Sequence, residues 1–259
     1  MIEDSLADEL RAVTALHQLG ADLGDPVEVE REGGRVIVRG AGLSPVLERQ
    51  IREAFVSMPG VEVRFSESDA TPSTLPRIDT PQPGPVATQA APVPSAAQNR
   101  LAQHLGGHAQ FEIFSSQLLD HQEAAMARIY ALRRLATQFP AAEESQLSPG
   151  DQRMLHDLAR EHAEALSREL AAIQRFVGPV LAAMGASASP GLAVVAQTWQ
   201  SAVEDLFGAG RQVDSLIVAL IGAAAPEPGA QAGGTSQSLF IAMAQLQLSV
   251  QQCEQLLTH

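Results

Sequence analysis

Hydrophobic and polar positions alternate between Val27 and Phe65 with a regularity that predicts each element in turn. Val27 to Glu32 alternates apolar and charged residues, the period of a half-buried strand. Gly33-Gly34 follows and can supply the positive φ angles of a two-residue hairpin turn, with Arg35 to Arg39 as the returning strand. This turn sets Glu32 opposite Arg35, Glu28 opposite Arg39 and Val29 opposite Val38. Two opposite-charge pairs then share one face and an apolar pair the other, each worth about 0.2–1 kcal/mol. A one-residue slip would reverse every side chain. Ile37 falls on the charged face and is the one misfit.

Ser44 and Pro45 open a helix as N-cap and first helical residue. Its apolar stripe is Leu47, Ile51, Ala54, Phe55 and Met58, and Pro59-Gly60 stops it. Val61, Val63 and Phe65 alternate with Glu62 and Arg64 as a third strand. Ahead of the hairpin, residues 4–20 read as a helix with Ser5 and Asp8 as its N-terminal box and Leu6, Leu10, Val13, Leu16 and Leu19 as its stripe. His17 beside that stripe reads as a partly buried packing histidine. The fold class is therefore α+β, with an α-β-β-α-β domain over residues 1–65.

Residues 66–98 hold seven prolines among Ala, Thr, Ser and Gln, the composition of a semi-extended linker. Residues 99–259 read as an all-α hairpin or bundle domain. Phe111, Phe114, Leu118, His121, Ala125, Ile129, Leu132, Ala136 and Phe139 step by three or four up to Pro140. Residues 141–147 read as a loop. Ser148-Pro149 opens a second long helix, striped by Leu155, Leu158, His162, Leu166, Leu170, Ile173, Val177, Val180 and Met184, with a kink expected at Pro179. Two such helices predict an antiparallel hairpin. Centred near residue 145, it brings His121 to Glu169 and His162 to Arg128. Residues 192–222 form a third helical region with expected breaks at Gly208 and Gly210, and Glu227 to Gly234 a loop. Then Leu239, Met243, Leu246, Val250, Cys253 and Leu257 keep a 4-3-4-3-4 spacing, a coiled-coil-like seam. From Ser236 onward Glu254 is the sole acid and there is no Arg, so this helix should pack on something. The same helical domain is the first choice; a second subunit or another protein follows. Leu239, Met243, Leu246, Val250 and Leu257 are the candidate interaction residues.

Charge narrows the partners. The 259 residues carry a net charge of −13, and every Lys/Arg position is Arg. That balance argues against nucleic acid, whose binding depends on phosphate neutralisation, and against anionic lipid held by charge alone. No apolar run reaches the ~20 residues of a membrane helix, and the acidic N-terminus lacks the apolar core of a signal peptide. A single Cys excludes an internal disulfide.

Chemistry is sparse. His104 and His108 are four apart, but Gly106-Gly107 interrupts them and no further ligands complete a set, so neither metal nor cofactor is expected. Cys253 sits on the seam and reads as a small core residue. No nucleophile elbow is present, and a phosphate loop needs the Lys that this chain lacks. No catalytic residues can be assembled, and an enzyme is not expected.

The run Gly34-x-Val36-x-Val38-x-Gly40, then a helix, then Pro59-Gly60-Val61, resembles the BON domain over about residues 5–65. That resemblance implies a small α/β module of the bacterial envelope and binding of a lipid or hydrophobic ligand. Residues 15–24 leading into the first strand, and Tyr130 to Ala136, resemble the outer portion of bacterial anti-sigma-factor-like proteins. This second resemblance implies a non-enzymatic sensing or adaptor region of an envelope regulator, acting by protein or ligand binding. It implies an extracytoplasmic location if the chain is part of a membrane-anchored protein; otherwise a cytoplasmic one follows. A soluble ligand-binding module and a homo-oligomeric helical scaffold are the alternatives.

Overall fold

A computed structural model describes residues 2–66, 96–187, 196–222 and 232–258. The chain forms two compact units that divide between Val93 and Pro94. The first is α+β and the second all-α. Most of the expected linker, residues 67–95, lies outside the described residues. Its assigned span is corrected at both ends: Ser66 closes a strand, and a helix already starts at Ala96.

The first unit runs α1 (Ile2–Gln18), β1 (Val27–Glu32), β2 (Arg35–Ala41), α2 (Pro45–Phe55) and β3 (Val61–Ser66). The strand order is β1-β2-β3, with β2 antiparallel to β1 and parallel to β3. Gly33 and Gly34 take φ of 59° and 82°, the signature of a type I′ turn. The hairpin register is the expected one, with Glu32 opposite Arg35, Glu28 opposite Arg39 and Val29 opposite Val38. α1 begins at Ile2, so Ser5 is a buried residue within the helix rather than its cap. α1 and the inner sheet face build the core from Leu6, Leu10, Leu16, Val27, Val36 and Val38, closed by Ile51 and Phe55 of α2. Ser44 caps α2 as expected, its hydroxyl accepting from Leu47 N at 3.2 Å. At the sheet edge Arg31 reaches the buried Glu9 of α1 at 2.6 Å, an ion pair that clamps helix to strand.

Ile37 is 2 % exposed although it lies on the outer face. The physical reason is the reach of arginine. Arg39 does not stop at Glu28 opposite it; it runs diagonally to Glu30 at 3.1 Å and to Glu32. Arg64 of β3 reaches Glu62 at 2.8 Å and, across β2, Glu32 at 3.8 Å. The arginine stems thus lie over the central strand while their charged heads stay wet.

The second unit contains α3 (Ala96–Leu105), α4 (His108–Gln138), the single turn α5 (Ala141–Glu144), α6 (Pro149–Ala183), α7 (Trp199–Leu220) and α8 (Ala232–Leu257). Four long helices form a bundle in which α4 touches α6 and α7, and α8 touches α6 and α7. The α4/α6 hairpin has the expected centre. His121 meets Glu169 at 2.8 Å, Arg128 meets His162 at 3.4 Å, and Phe114 stacks on Phe176. Each pair sums to the same register. α7 also runs antiparallel to α4, since Arg133 meets Glu204 while Met126 and Ile129 meet Gly210. α8 runs antiparallel to α6, with Gln247 on Gln174 and Ser236 beside Met184.

Two helical expectations are corrected. The stretch 141–147 is not all loop, because α5 occupies its first four residues. α6 carries Pro179 inside one helix that runs to Ala183. α7 is unbroken through Gly208 and Gly210. Gly210 is buried, and a Cβ there would lie 2.5 Å from Ile129 Cδ1; at Gly208 it would meet nothing within 4 Å. Glycine at 210 permits close helix approach, whereas at 208 it only costs helix propensity. Gly208→Ala should therefore stabilise the bundle by about 0.5–1 kcal/mol. Gly210→Leu should destabilise it by about 1–3 kcal/mol through overpacking. Paired urea melts of the two variants check the opposite signs.

Candidate ligand groove

The three strands end together at one edge of the sheet. Pro26 precedes β1, and Ala41 and Ser66 close β2 and β3; Ala41 N donates to Pro26 O at 3.2 Å. A groove of about 440 Å³ opens there. Glu28, Arg39, Arg64 and Ser66 provide its polar lining, and Pro26, Gly40, Ala41 and Phe65 its apolar lining. The volume falls in the range of small-molecule sites.

A Cβ at Gly40 would lie 2.6 Å from Leu43 Cδ1 and 2.9 Å from Phe65 Cδ1, so glycine there lets the Phe65 ring lie close against β2. The Arg52 guanidinium lies 4.6 Å from the ring centroid and holds it from the α2 side. Because Arg39 turns toward Glu30 and Glu32, Glu28 forms no ion pair among the described residues. The hydrogen bond from Arg64 holds the Glu62 carboxyl below its ordinary value, against the opposing effect of desolvation. The groove thus carries a carboxylate without an ion pair among the described residues, and two guanidinium groups already paired with Glu30, Glu32 and Glu62, beside apolar lining.

A second polar centre lies in the helical unit. Glu144 on α5 accepts from His156 Nε2 of α6 at 2.6 Å, from Trp199 Nε1 at 2.9 Å and from Gln200 Nε2 at 2.6 Å, both of α7. Gln200 also donates to Phe139 O, and Gln152 to Glu144 O, both at 3.0 Å. Burial pushes the Glu144 carboxyl up, but the three donors outweigh it, so its pKa lies below the ordinary value. Every oxygen of this carboxylate is engaged in holding three elements together. That is a structural clamp, and it leaves no oxygen aimed at a substrate. Sequence reasoning missed it because Glu144 sits in a segment read as loop and its partners are 12 to 56 residues away. The available signal was Thr198 ahead of the single Trp, which does cap α7 in a reciprocal box with Ser201.

The candidate interaction residues are turned inward. Leu239, Met243, Leu246, Val250 and Leu257 are all at most 6 % exposed, packed against α6 and α7. Of the three readings of the seam, the one in which this helix packs on its own domain accounts for the burial of all five. Cys253 on the same row is fully buried, and burial, with Glu254 adjacent, pushes its thiol up to about 12. At pH 8 its thiolate fraction is then about 10⁻⁴, against about a quarter for a free thiol. Alkylation of Cys253 should accordingly track unfolding of the bundle; fast labelling under native conditions contradicts its placement.

His104 closes α3 and His108 starts α4, on either side of Gly106 and Gly107. His108 faces Glu112 at 3.4 Å on an exposed surface. Among the described residues no helix is long and apolar enough to cross a membrane. No family model, curated protein or solved structure matches this chain.

Proposed function

We propose that this chain is a non-enzymatic sensing or adaptor protein whose α/β unit holds a small amphiphilic ligand in the sheet-end groove. The observation that carries the reading is the lining of that groove: Glu28, which forms no ion pair among the described residues, together with Arg39, Arg64, Pro26, Ala41 and Phe65. Both charge signs beside an apolar floor suit a zwitterionic head attached to a hydrocarbon, the chemistry of a lipid. The BON-like run of residues supports the same ligand class. The resemblance to anti-sigma-factor-like proteins favours the outer region of a bacterial envelope regulator, with the helical unit serving a protein partner. The Glu144–His156 pair gives no support to an enzymatic reading, because its acceptors are spent on the clamp.

Thermal unfolding of the full chain with lysophosphatidylcholine, kept below its micelle concentration, tests the proposal. Ligand at ten times its Kd stabilises by about 1.4 kcal/mol. For a unit of this size that raises Tm by about 5–10 °C. Glu28→Gln and Arg64→Gln should each reduce the rise. An unchanged Tm at every concentration, or a rise indifferent to both substitutions, rejects the groove as the site.

A further inference from the structure

We infer that α3 is a detachable strap, docked over one end of the helical bundle and hinged at Gly106–Gly107, that opens while the bundle stays folded. Its hold on the bundle is narrow. Leu101 is the one buried side chain among the described residues of α3, whereas α4 buries eleven. Another hold is a latch: Gln98 Nε2 donates to Ile221 O at 2.7 Å, capping a carbonyl at the C-terminal end of α7. The latch requires glycine at the next position. Gly222 has φ of +73°, and a Cβ there would overlap the Gln98 side chain.

The hinge is equally specific. Gly106 and Gly107 have φ of +90° and +130°, conformations that side-chain-bearing residues rarely adopt. Gly107 N closes α3 by donating to Ala102 O at 2.8 Å. α4 starts from Gly107 with no side-chain cap, and residues 108–110 are exposed. A helix of ten residues is marginal in water by itself. Undocking therefore melts α3 and frees the Ile221 carbonyl at the end of α7. Opening leaves untouched the antiparallel pairs among α4, α6, α7 and α8. α3 is also the first element of the bundle along the chain, so a pull on the preceding residues reaches it before any other helix.

Hydrogen exchange of the full chain, read by mass spectrometry, tests this directly. Amides of residues 101–105 should exchange at least about 100-fold faster than those of residues 126–135, in the manner of a local opening. Leu101→Ala and Gln98→Ala should each speed exchange in residues 101–107 by about tenfold or more, with the core of α4 unchanged. Equal protection in both segments, with Leu101→Ala accelerating both together, overturns the inference and makes α3 an integral part of the cooperative bundle.

Discussion

Leu246→Asp is expected to unfold the helical unit rather than to separate two subunits. Leu246 is 1 % exposed on α8 and faces α6 and α7. Removing a buried leucine costs about 2–5 kcal/mol in lost burial and cavity, and an uncompensated carboxylate adds several more. Against a domain stability of about 5–15 kcal/mol, the sum leaves little or no folded bundle. Val250→Asp should behave alike, since Val250 is equally buried one turn on. Gln251→Asp is the reference on the exposed side of the same helix, with an expected effect within about 0.5 kcal/mol. Circular dichroism melts should show loss of the helical transition for Leu246→Asp alone of the 246/251 pair. A Leu246→Asp protein that keeps its helical melt while its sedimenting mass halves would establish the seam as an intermolecular one.

Glu144→Ala should produce the second largest loss. It removes the acceptor for His156, Trp199 and Gln200 at once, and Trp199 is nearly fully buried. An unsatisfied buried donor costs about 1–3 kcal/mol. Water can reach part of His156, which moderates the total to about 2–4 kcal/mol. In a bundle of this length that lowers Tm by about 5–15 °C. The dependence on pH has a definite sign. Burial raises the Glu144 carboxyl, but the donated hydrogen bonds win, and its folded pKa lies below the ordinary 4.5. Its contribution is thus fully present above pH 4.5 and is lost as pH falls through the folded value. The stability gap between the natural chain and Glu144→Gln should be widest near pH 7 and shrink toward pH 3. A gap that widens in acid contradicts the clamp.

These two sites also mark how far the pattern of residues carries. The hairpin register was legible because its charges and valines agree in one alignment alone, with a glycine pair to turn the chain. The α4/α6 pairing was legible for a similar reason: two long stripes and a short connection leave one centre, which puts His121 at Glu169. What periodicity does not contain is the choice among partners in space. Arg39 has Glu28 directly opposite, yet its length lets it reach Glu30 and Glu32. The groove carboxylate exists only because of that choice. The seam of α8 was visible as a spacing, but whether α6 and α7 or a second chain fill it depends on tertiary packing. Gly210 looks like a helix breaker in the sequence and acts as a contact point against Ile129. Glu144 lies in a short turn with no periodic signal, and its three partners come from two helices.

Nuclear magnetic resonance mapping of the full chain during titration with lysophosphatidylcholine is the most direct measurement of the proposed role. The groove reading predicts saturable shifts centred on residues 26–28, 39–41 and 64–66, where the three strand ends meet. These shifts should collapse in Glu28→Gln. Shifts confined to the surface of the helical unit, or none at saturation, would contradict a ligand-binding α/β unit.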